Sequence, residues 1–354
     1  MKRKLAVLAI CASMATWSTA AQAELSKVQA GFCARTISSG TAPFAVAIRM
    51  GWFKEDGIDV NVVTFAGSSD CVKNISSKEI PFALASVEPQ AAARILGIKA
   101  KTFYTAYQKN IFRLAVPAES SIQKIGDLKG KRIGVASMGA GVLFAKALVA
   151  MAGMDPERDV NIVVAGEGAQ TAAMLRTRQV DALSQFDTQF AMVENAGVKL
   201  RLLDATEIER FPGNGFLALE ETLRIRRGDA VALARGYAKG TIFAINNPEA
   251  AVRMLYEVFP VAKPTGKDEA TAVRDDVRVL QARIPTWSLE KSGVKRWGES
   301  SERNYSEFLD FLFKWGVIGG KVSAQDIMTN ELIDEINRFD FERIVAEAKA
   351  YRLK

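Results

Sequence analysis

Hydrophobic and polar positions follow two alternating periods along most of the chain. Residues 27–35, 58–65 and 80–86 are short apolar or alternating runs, which is the pattern of β-strands. Residues 42–53 and 88–96 lie between these runs and repeat apolar positions at three or four residues, which predicts amphipathic helices. Strands that alternate with helices indicate an α/β fold with mostly parallel sheets.

The first residues depart from this pattern. Residues 1–4 (MKRK) are basic, a short apolar run follows, and small residues end at Ala23. This order is typical of a secretory signal peptide. We therefore predict that residues 1–23 are removed before Glu24 and that the mature protein is periplasmic. The alternatives are an N-terminal membrane anchor, for which the apolar run is short, and a lipoprotein modified at Cys11.

A second cycle of alternating elements begins after residue 120. The segment 24–354 is longer than a chain that folds around a single hydrophobic core. We therefore expect two Rossmann-like lobes. Lobe I comprises residues 24–116 and 216–354, and lobe II comprises residues 117–215. The chain would cross between the lobes twice, which creates a hinge with a cleft beside it.

Composition narrows the chemistry that this cleft can perform. The chain has 47 Lys and Arg against 40 Asp and Glu, a net charge of +7, and its basic residues are dispersed, so we expect no nucleic-acid partner. It contains no histidine, which excludes His-ligated metal sites and Ser-His-Asp or Cys-His catalysis. We expect no metal, no cofactor and no catalytic residues, although Asp, Glu, Lys and Tyr could still serve an enzyme.

One Ser- and Gly-rich loop, residues 136–141 (ASMGAG), joins a predicted strand to a predicted helix. Free backbone N–H groups and the helix dipole suit such a loop to an anionic or strongly polar group. Residues 139–144 (GAGVLF) imitate the dinucleotide fingerprint, and Glu167 follows the next strand. Phe144, however, stands where the third glycine allows close helix packing. We interpret the loop as a ligand-binding loop rather than a nucleotide site.

The stretch GWFKEDGIDV at residues 51–60 resembles solute-binding proteins of bacterial ABC importers. The resemblance is to the family shared by nitrate, sulfonate, taurine and thiamine-pyrimidine binders, and it continues in order at residues 65–86, 121–141, 175–189 and 308–340. It implies a two-lobed, type II periplasmic-binding-protein fold. Such a protein would act as a monomer that closes around one small molecule and delivers it to an ABC permease.

Several loops should converge on the cleft, because ligands of α/β lobes bind at the carboxyl ends of strands beside helix N-termini. The candidate ligand-binding residues offer hydroxyl, amide, carboxylate or backbone groups, or an aromatic face. They are Ser38, Ser39, Thr41, Phe44, Gly67, Ser68, Ser69, Ser86, Glu88, Ser137, Met138, Gly139, Ala140, Gly141, Gln185 and Asp187. Helix capping is the alternative role of Ser38 and Ser69, and a charge in the first turn of a helix is that of Glu88 and Asp187. Arg35 is a candidate counter-charge, with a surface position as its alternative. Tyr107 is interpreted as a core or strand-pair residue, with ligand stacking as its alternative.

The expected ligand is a small polar or anionic organic solute of the sulfonate, nitrate or carboxylate class, and a neutral or heterocyclic ligand stays open. An exported enzyme with Glu88 or Asp187 as base is one alternative. A sensor that presents the ligand to a membrane receptor is another. These three functions share the same cleft, so the sequence does not separate transport from sensing.

Cys33 and Cys71 remain after removal of the leader. Cys33 lies near the end of the first predicted strand and Cys71 in the first helical turn after the second, and these positions are neighbours in a parallel sheet. Export permits a disulfide, which requires Cα atoms within about 7 Å of each other. A bond and two separate buried thiols are both compatible with the sequence.

Overall fold

The computed structural model describes residues 24–290 and 292–352, which form two α/β lobes. The predicted signal peptide, residues 1–23, lies outside the described residues. Within them, no helix combines the length and the apolar character needed to cross a bilayer.

The first lobe is built on a five-stranded sheet. Its strands are β1 (Ser26–Phe32), β2 (Ile58–Thr64), β3 (Phe82–Ala85), β4 (Ala100–Thr105) and β10 (Gly215–Leu219), in the spatial order β2-β1-β3-β10-β4. β1 pairs in parallel with β2 and β3, whereas β10 is antiparallel to β3 and β4. The helices between the first four strands are α1 (Ala42–Arg49), α2 (Trp52–Glu55), α3 (Ser68–Ser76) and α4 (Val87–Ile95).

The second lobe repeats this arrangement. Its strands are β5 (Phe112–Pro117), β6 (Arg132–Val135), β7 (Asn161–Val164), β8 (Ala182–Phe186) and β9 (Leu200–Leu202), in the order β7-β6-β8-β5-β9. β6 is parallel to β7 and β8, and β5 is antiparallel to β8 and β9. The intervening helices are α5 (Ala140–Met151), α6 (Ala169–Arg176) and α7 (Asp187–Asn195). The predicted α/β class with two similar lobes is therefore confirmed.

The chain crosses between the sheets at residues 106–111 and again at residues 203–214. The first crossing lies before the predicted boundary at residue 116, because β5 pairs within the second sheet. β4 and β5 are apolar runs that follow each other closely, so the sequence pattern does not show which sheet the second run joins.

The remaining helices follow β10. They are α8 (Glu220–Ile225), α9 (Arg227–Asn246), α10 (Pro248–Val258), α11 (Glu269–Trp287), α12 (Glu302–Lys314), α13 (Ala324–Ile327), α14 (Ile333–Ile336) and α15 (Phe341–Ala350), with short 3-10 helices at Ser39–Thr41, Ile125–Leu128, Thr206–Ile208 and Pro260–Ala262. The predicted division placed all of these helices in the first lobe, but some of them also pack against the second lobe. Phe308 of α12 stacks on Phe144 of α5 with 5.9 Å between ring centroids, and α11 packs against α7.

Helix α9 crosses α1 at a glycine. A Cβ on Gly240 would lie 2.0 Å from the carbonyl oxygen of Pro43, so the two helices approach too closely for a side chain. We expect Gly240→Ala to lower the free energy of unfolding by about 2 kcal/mol in urea denaturation, because a buried backbone contact must open.

The matched control for this variant is Gly228→Ala in the same helix. Gly228 is exposed, and a Cβ there meets no atom within 4 Å. Alanine at this position should leave stability unchanged or raise it slightly, since it favours the helix. Equal losses in the two variants would contradict the close approach at Gly240.

Candidate ligand-binding site

A cavity of about 660 Å³ lies between the two lobes. Its walls come from the carboxyl ends of β1, β6, β7 and β8, from the loop before α3, and from both crossings. Parallel strands leave their carboxyl ends free to contact ligands, together with the N-termini of the helices that follow. Each lobe therefore presents its ligand-binding edge to the same space.

Two of the predicted loops and one strand end meet at this cavity. The candidate residues that line it are Gly67, Ser68, Ser69, Ser137, Met138, Gly139, Ala140, Gly141 and Gln185. The hydroxyl of Ser68 accepts a hydrogen bond from the backbone N–H of Ser86 at 3.0 Å, which fixes its loop against the end of β3. A Cβ on Gly141 would lie 2.8 Å from the carbonyl oxygen of Ser184, so the opposite loop packs tightly on β8.

The other candidates do not line the cavity. They are Ser38, Ser39, Thr41, Phe44, Ser86, Glu88 and Asp187. Phe44 is fully buried, with its ring 5.8 Å from that of Phe216 and 4.9 Å from that of Tyr237. It was predicted at the cleft because it follows a polar loop, but α1 turns its apolar face into the core of the first lobe.

Four polar members of this group, Ser39, Thr41, Ser86 and Glu88, are also buried inside the first lobe. The hydroxyl of Thr41 donates to the carbonyl oxygen of Ser38, and Ser39 is buried. Ser86 and Glu88, at the start of α4, are buried, and burial raises the pKa of Glu88. A buried hydroxyl or carboxylate near a strand end thus need not face a ligand, because Oγ of Ser39, Oγ of Ser86 and Oε2 of Glu88 lie outside the cavity although they have no hydrogen-bond partner among the described residues. The sequence does not distinguish such interior positions from ligand-binding ones.

Arg283 of α11 was not predicted, and it forms part of the inner wall of the cavity. It is 3% exposed, and its Nη2 lies 2.6 Å from Oδ1 of Asp187. Its guanidinium carbon lies 4.3 Å from the centre of the Tyr107 ring. Among the described residues, its Nε and Nη1 find no hydrogen-bond partner. Buried polar atoms are normally paired, so these N–H groups are suited to an acceptor on a ligand.

Asp187 stands behind Arg283 and orients it. Burial raises the pKa of Asp187 to about 6, although Arg283, Arg113 and the backbone N–H of Thr188 each favour the ionised form. The carboxyl is therefore an internal partner of the arginine that changes its protonation state near pH 6.

Two side-chain amides present acceptors to the cavity. Gln185 donates from Nε2 to the carbonyl oxygen of Gly166 at 3.1 Å, and Asn214 donates from Nδ2 to that of Leu84 at 3.1 Å. These bonds leave Oε1 of Gln185 and Oδ1 of Asn214 without a partner among the described residues. A ligand that fills the cavity therefore needs hydrogen-bond donors as well as an acceptor for Arg283.

Aromatic side chains complete the inner wall. Phe32, Tyr107, Phe112 and Phe186 all line the cavity. Tyr107 is buried in the hydrophobic core, as predicted, and from its place in the first crossing it also lines the cavity. Phe112 stacks on Phe144 at 5.0 Å between centroids and stands nearly perpendicular to Phe186 at 5.7 Å. The wall is thus apolar, with its polar atoms confined to a few positions.

A contact between the lobes spans the mouth of the cavity. The hydroxyl of Thr36 donates to Oε2 of Glu167 at 3.2 Å, which joins the loop after β1 to the loop after β7. Arg35 is exposed on the rim beside it, and Met138 is 72% exposed on the opposite side. The charges at the mouth are therefore solvated, whereas the charge of Arg283 is buried.

A disulfide joins Cys33 and Cys71, with 5.9 Å between their Cα atoms. This resolves the alternative that the sequence left open. The bond ties the end of β1 to the first turn of α3, and Cys33 itself lines the cavity. It therefore fixes two loops of the first lobe that form the cavity wall.

Two lobes of this topology with a cavity between them define the type II periplasmic-binding-protein fold. The profile of the family described as NMT1/THI5 like matches residues 38–251. The chain belongs to this family.

Known relatives fit this assignment. The riboflavin-binding protein RibY of Chloroflexus aurantiacus is 25% identical over 298 residues, which are 82% of each chain. The alkanesulfonate-binding protein SsuA of Xanthomonas axonopodis pv. citri bound to MOPS has a TM-score of 0.63 at 16% identity, over 87% of this chain and 99% of that one. The nitrate-binding protein NrtA of Synechocystis PCC 6803 has a TM-score of 0.60 at 16% identity, over 92% and 90%. Both solved structures share the fold.

Proposed function

We propose that this protein is the periplasmic substrate-binding component of an ABC importer. It captures a small polar or anionic organic solute between its lobes and delivers it, as a monomer, to the membrane permease. The observation that carries this proposal is the interlobe cavity, where N–H groups of the buried Arg283 have no partner among the described residues. Membership of the NMT1/THI5-like family supports it.

Entry of the solute requires the lobes to separate. Arg283 and Gln185 are buried, and the hydrogen bond between Thr36 and Glu167 spans the mouth. Two short crossings join the sheets, which is the arrangement of a hinge. The solute would bind to an open form and be enclosed as the mouth contact forms.

The alternative is an exported enzyme on the same scaffold. A DSZB mutant in complex with biphenyl-2-sulfinic acid shares the fold, with a TM-score of 0.57 at 13% identity. The two carboxylates considered as bases do not line the cavity, because Glu88 is buried in the first lobe and Asp187 pairs with Arg283. A base must reach the proton that it removes, so this geometry favours binding without conversion.

Recovery of the ligand separates the two functions. The mature protein is purified from the periplasm, its native mass is measured, and any bound molecule is released under denaturing conditions and identified. We expect a molecule that rebinds and is recovered unchanged after prolonged incubation. Conversion into a product would favour the enzyme. Loss of growth on the solute after gene deletion would favour transport over a receptor-linked sensor.

The affinity for an anion should increase as the pH falls from 8 to 5. An anion at Arg283 adds negative charge beside Asp187, so binding favours protonation of this carboxyl. Because burial places the pKa of Asp187 near 6, the carboxyl is already neutral at pH 5, whereas at pH 8 it is ionised and repels the incoming anion. Titration calorimetry with a sulfonate, which stays ionised over this range, should show a gain of about tenfold.

Asp187→Asn is the control for this pH dependence, since its amide does not titrate. The variant should bind the sulfonate with nearly constant affinity from pH 5 to 8. An equal pH dependence in the wild type and the variant would show that another group is responsible.

A further inference from the structure

We propose that the solute is an aromatic acid, with its ring against the aromatic inner wall and its carboxylate or sulfonate on Arg283. This inference rests on the proposed function and narrows the solute to ring-bearing organic anions. Four observations carry it. They are the size of the cavity, its aromatic wall, and the N–H groups of Arg283 and the acceptors of Gln185 and Asn214 that have no partner within the described part of the chain.

The size of the cavity favours a molecule larger than a minimal anion. Its volume of about 660 Å³ lies within the range of cavities that enclose molecules of drug size. Nitrate or a short alkyl sulfonate would leave most of this space to water against apolar side chains. A molecule with at least one ring covers that surface.

The inner wall offers flat apolar surfaces near the buried charge. Phe112 and Phe186 are half-buried, stand nearly perpendicular to each other and come from neighbouring strands of the second sheet. Tyr107 also lines this wall, and the guanidinium of Arg283 lies over its ring. Perpendicular aromatic rings accommodate a third ring by stacking on one and meeting the edge of the other.

Arg283 supplies the anion contact. Asp187 occupies Nη2 of the guanidinium, whereas Nε and Nη1 are buried and have no partner among the described residues. Water is excluded as the mouth closes, so acceptors on the ligand must replace it, and an ionised acceptor forms the stronger bonds. Arg35, Asp70 and Glu167 lie nearer the solvent, where screening weakens their influence.

The two amide oxygens that line the cavity indicate which substituents the aromatic ring of the ligand has. Oε1 of Gln185 and Oδ1 of Asn214 require donors, because their own amide groups already donate to backbone carbonyl oxygens. A ring hydroxyl or amino group supplies such a donor. The favoured solute is therefore a hydroxylated or aminated aromatic acid.

A matched set of probes tests this inference on the mature wild-type protein after removal of bound ligand. Titration calorimetry compares 4-hydroxybenzoate with trans-4-hydroxycyclohexanecarboxylate, which keeps the hydroxyl and the charge but lacks the aromatic ring, and with 4-hydroxybenzamide, which lacks the charge. Ethanesulfonate, nitrate and riboflavin represent the other solute classes. We expect 4-hydroxybenzoate to bind about tenfold more tightly than trans-4-hydroxycyclohexanecarboxylate and about 30-fold more tightly than the amide.

One variant locates the ring. Phe186→Leu should weaken binding of 4-hydroxybenzoate about tenfold and leave binding of trans-4-hydroxycyclohexanecarboxylate within about twofold. Phe313→Leu, at an exposed phenylalanine of α12 outside the cavity, should change neither. If Phe186→Leu does not fold, the wild-type comparison alone decides.

Equal affinities for the aromatic and saturated acids, or for the acid and the amide, would overturn the inference. Tightest binding of ethanesulfonate, nitrate or riboflavin would also overturn it and would leave the proposed function intact. If none of the probes bound and the molecule recovered unchanged from the protein belonged to another class, the inference would likewise be overturned and the proposed function would stand. Conversion of a bound probe into a product would instead contradict the proposed function.

Discussion

Replacement of Arg283 by Met will lower the affinity for an anionic solute about 100-fold, because charge-assisted hydrogen bonds in a water-excluded site are lost. Methionine keeps much of the aliphatic volume that packs beside Tyr107 but supplies no donor. Nε and Nη1 of Arg283 are buried, and neither has a hydrogen-bond partner among the described residues. Titration calorimetry with the recovered solute, or with 4-hydroxybenzoate, measures the loss.

The variant also leaves Asp187 without its partner, since Nη2 of Arg283 lies 2.6 Å from Oδ1. The double variant Arg283→Met/Asp187→Asn removes this buried charge and should recover stability without recovering affinity. Arg278→Met, at an exposed arginine of the same helix, should bind like the wild type. If the Arg283 variants bound the solute with wild-type affinity, this would show that Arg283 does not contact the ligand.

Loss of the disulfide will lower the free energy of unfolding by about 4 kcal/mol, the value that the chain-entropy account gives for a loop of this length. The bonded cysteines, Cys33 and Cys71, are separated by 38 positions in the sequence. Urea denaturation of the variant Cys33→Ala/Cys71→Ala, compared with the wild type, measures the change. Ligand affinity should fall as well, because both loops contribute to the cavity wall.

Reductant provides the matched control for this prediction. Dithiothreitol present during refolding should destabilise the wild type by a similar amount and leave the double alanine variant unchanged. A wild type that unfolds at the same urea concentration with and without reductant would contradict a stabilising bond.

The sequence predicts the fold well because the fold depends on local periodicity. Short apolar runs became the strands, and the amphipathic segments between them became helices at nearly the predicted places. Loops after parallel strands were predicted at the cleft, and the loops at residues 67–69 and 137–141 do line it. The position of these residues follows from the strand that precedes them, and the sequence pattern predicts that strand.

The charged end of the site depends instead on tertiary packing. Arg283 lies in α11, which also carries Arg274 and Arg278. Helical spacing places Arg283 on the face of the apolar Val279 and Leu280, but it does not show which groups a charge on that face meets. The packing of α11 against α7 brings Arg283 to Asp187 and leaves Arg274 and Arg278 exposed. Phe44 shows the converse case, since its place after a polar loop does not show that α1 buries it.

The central claim is that the two lobes close around one small molecule. Small-angle X-ray scattering of the mature protein, before and after saturation with the solute recovered from it, tests this most directly. We expect the radius of gyration to fall on binding in the wild type and to stay unchanged in Arg283→Met at the same solute concentration. A saturated wild type with an unchanged radius of gyration would contradict closure of the lobes on a ligand.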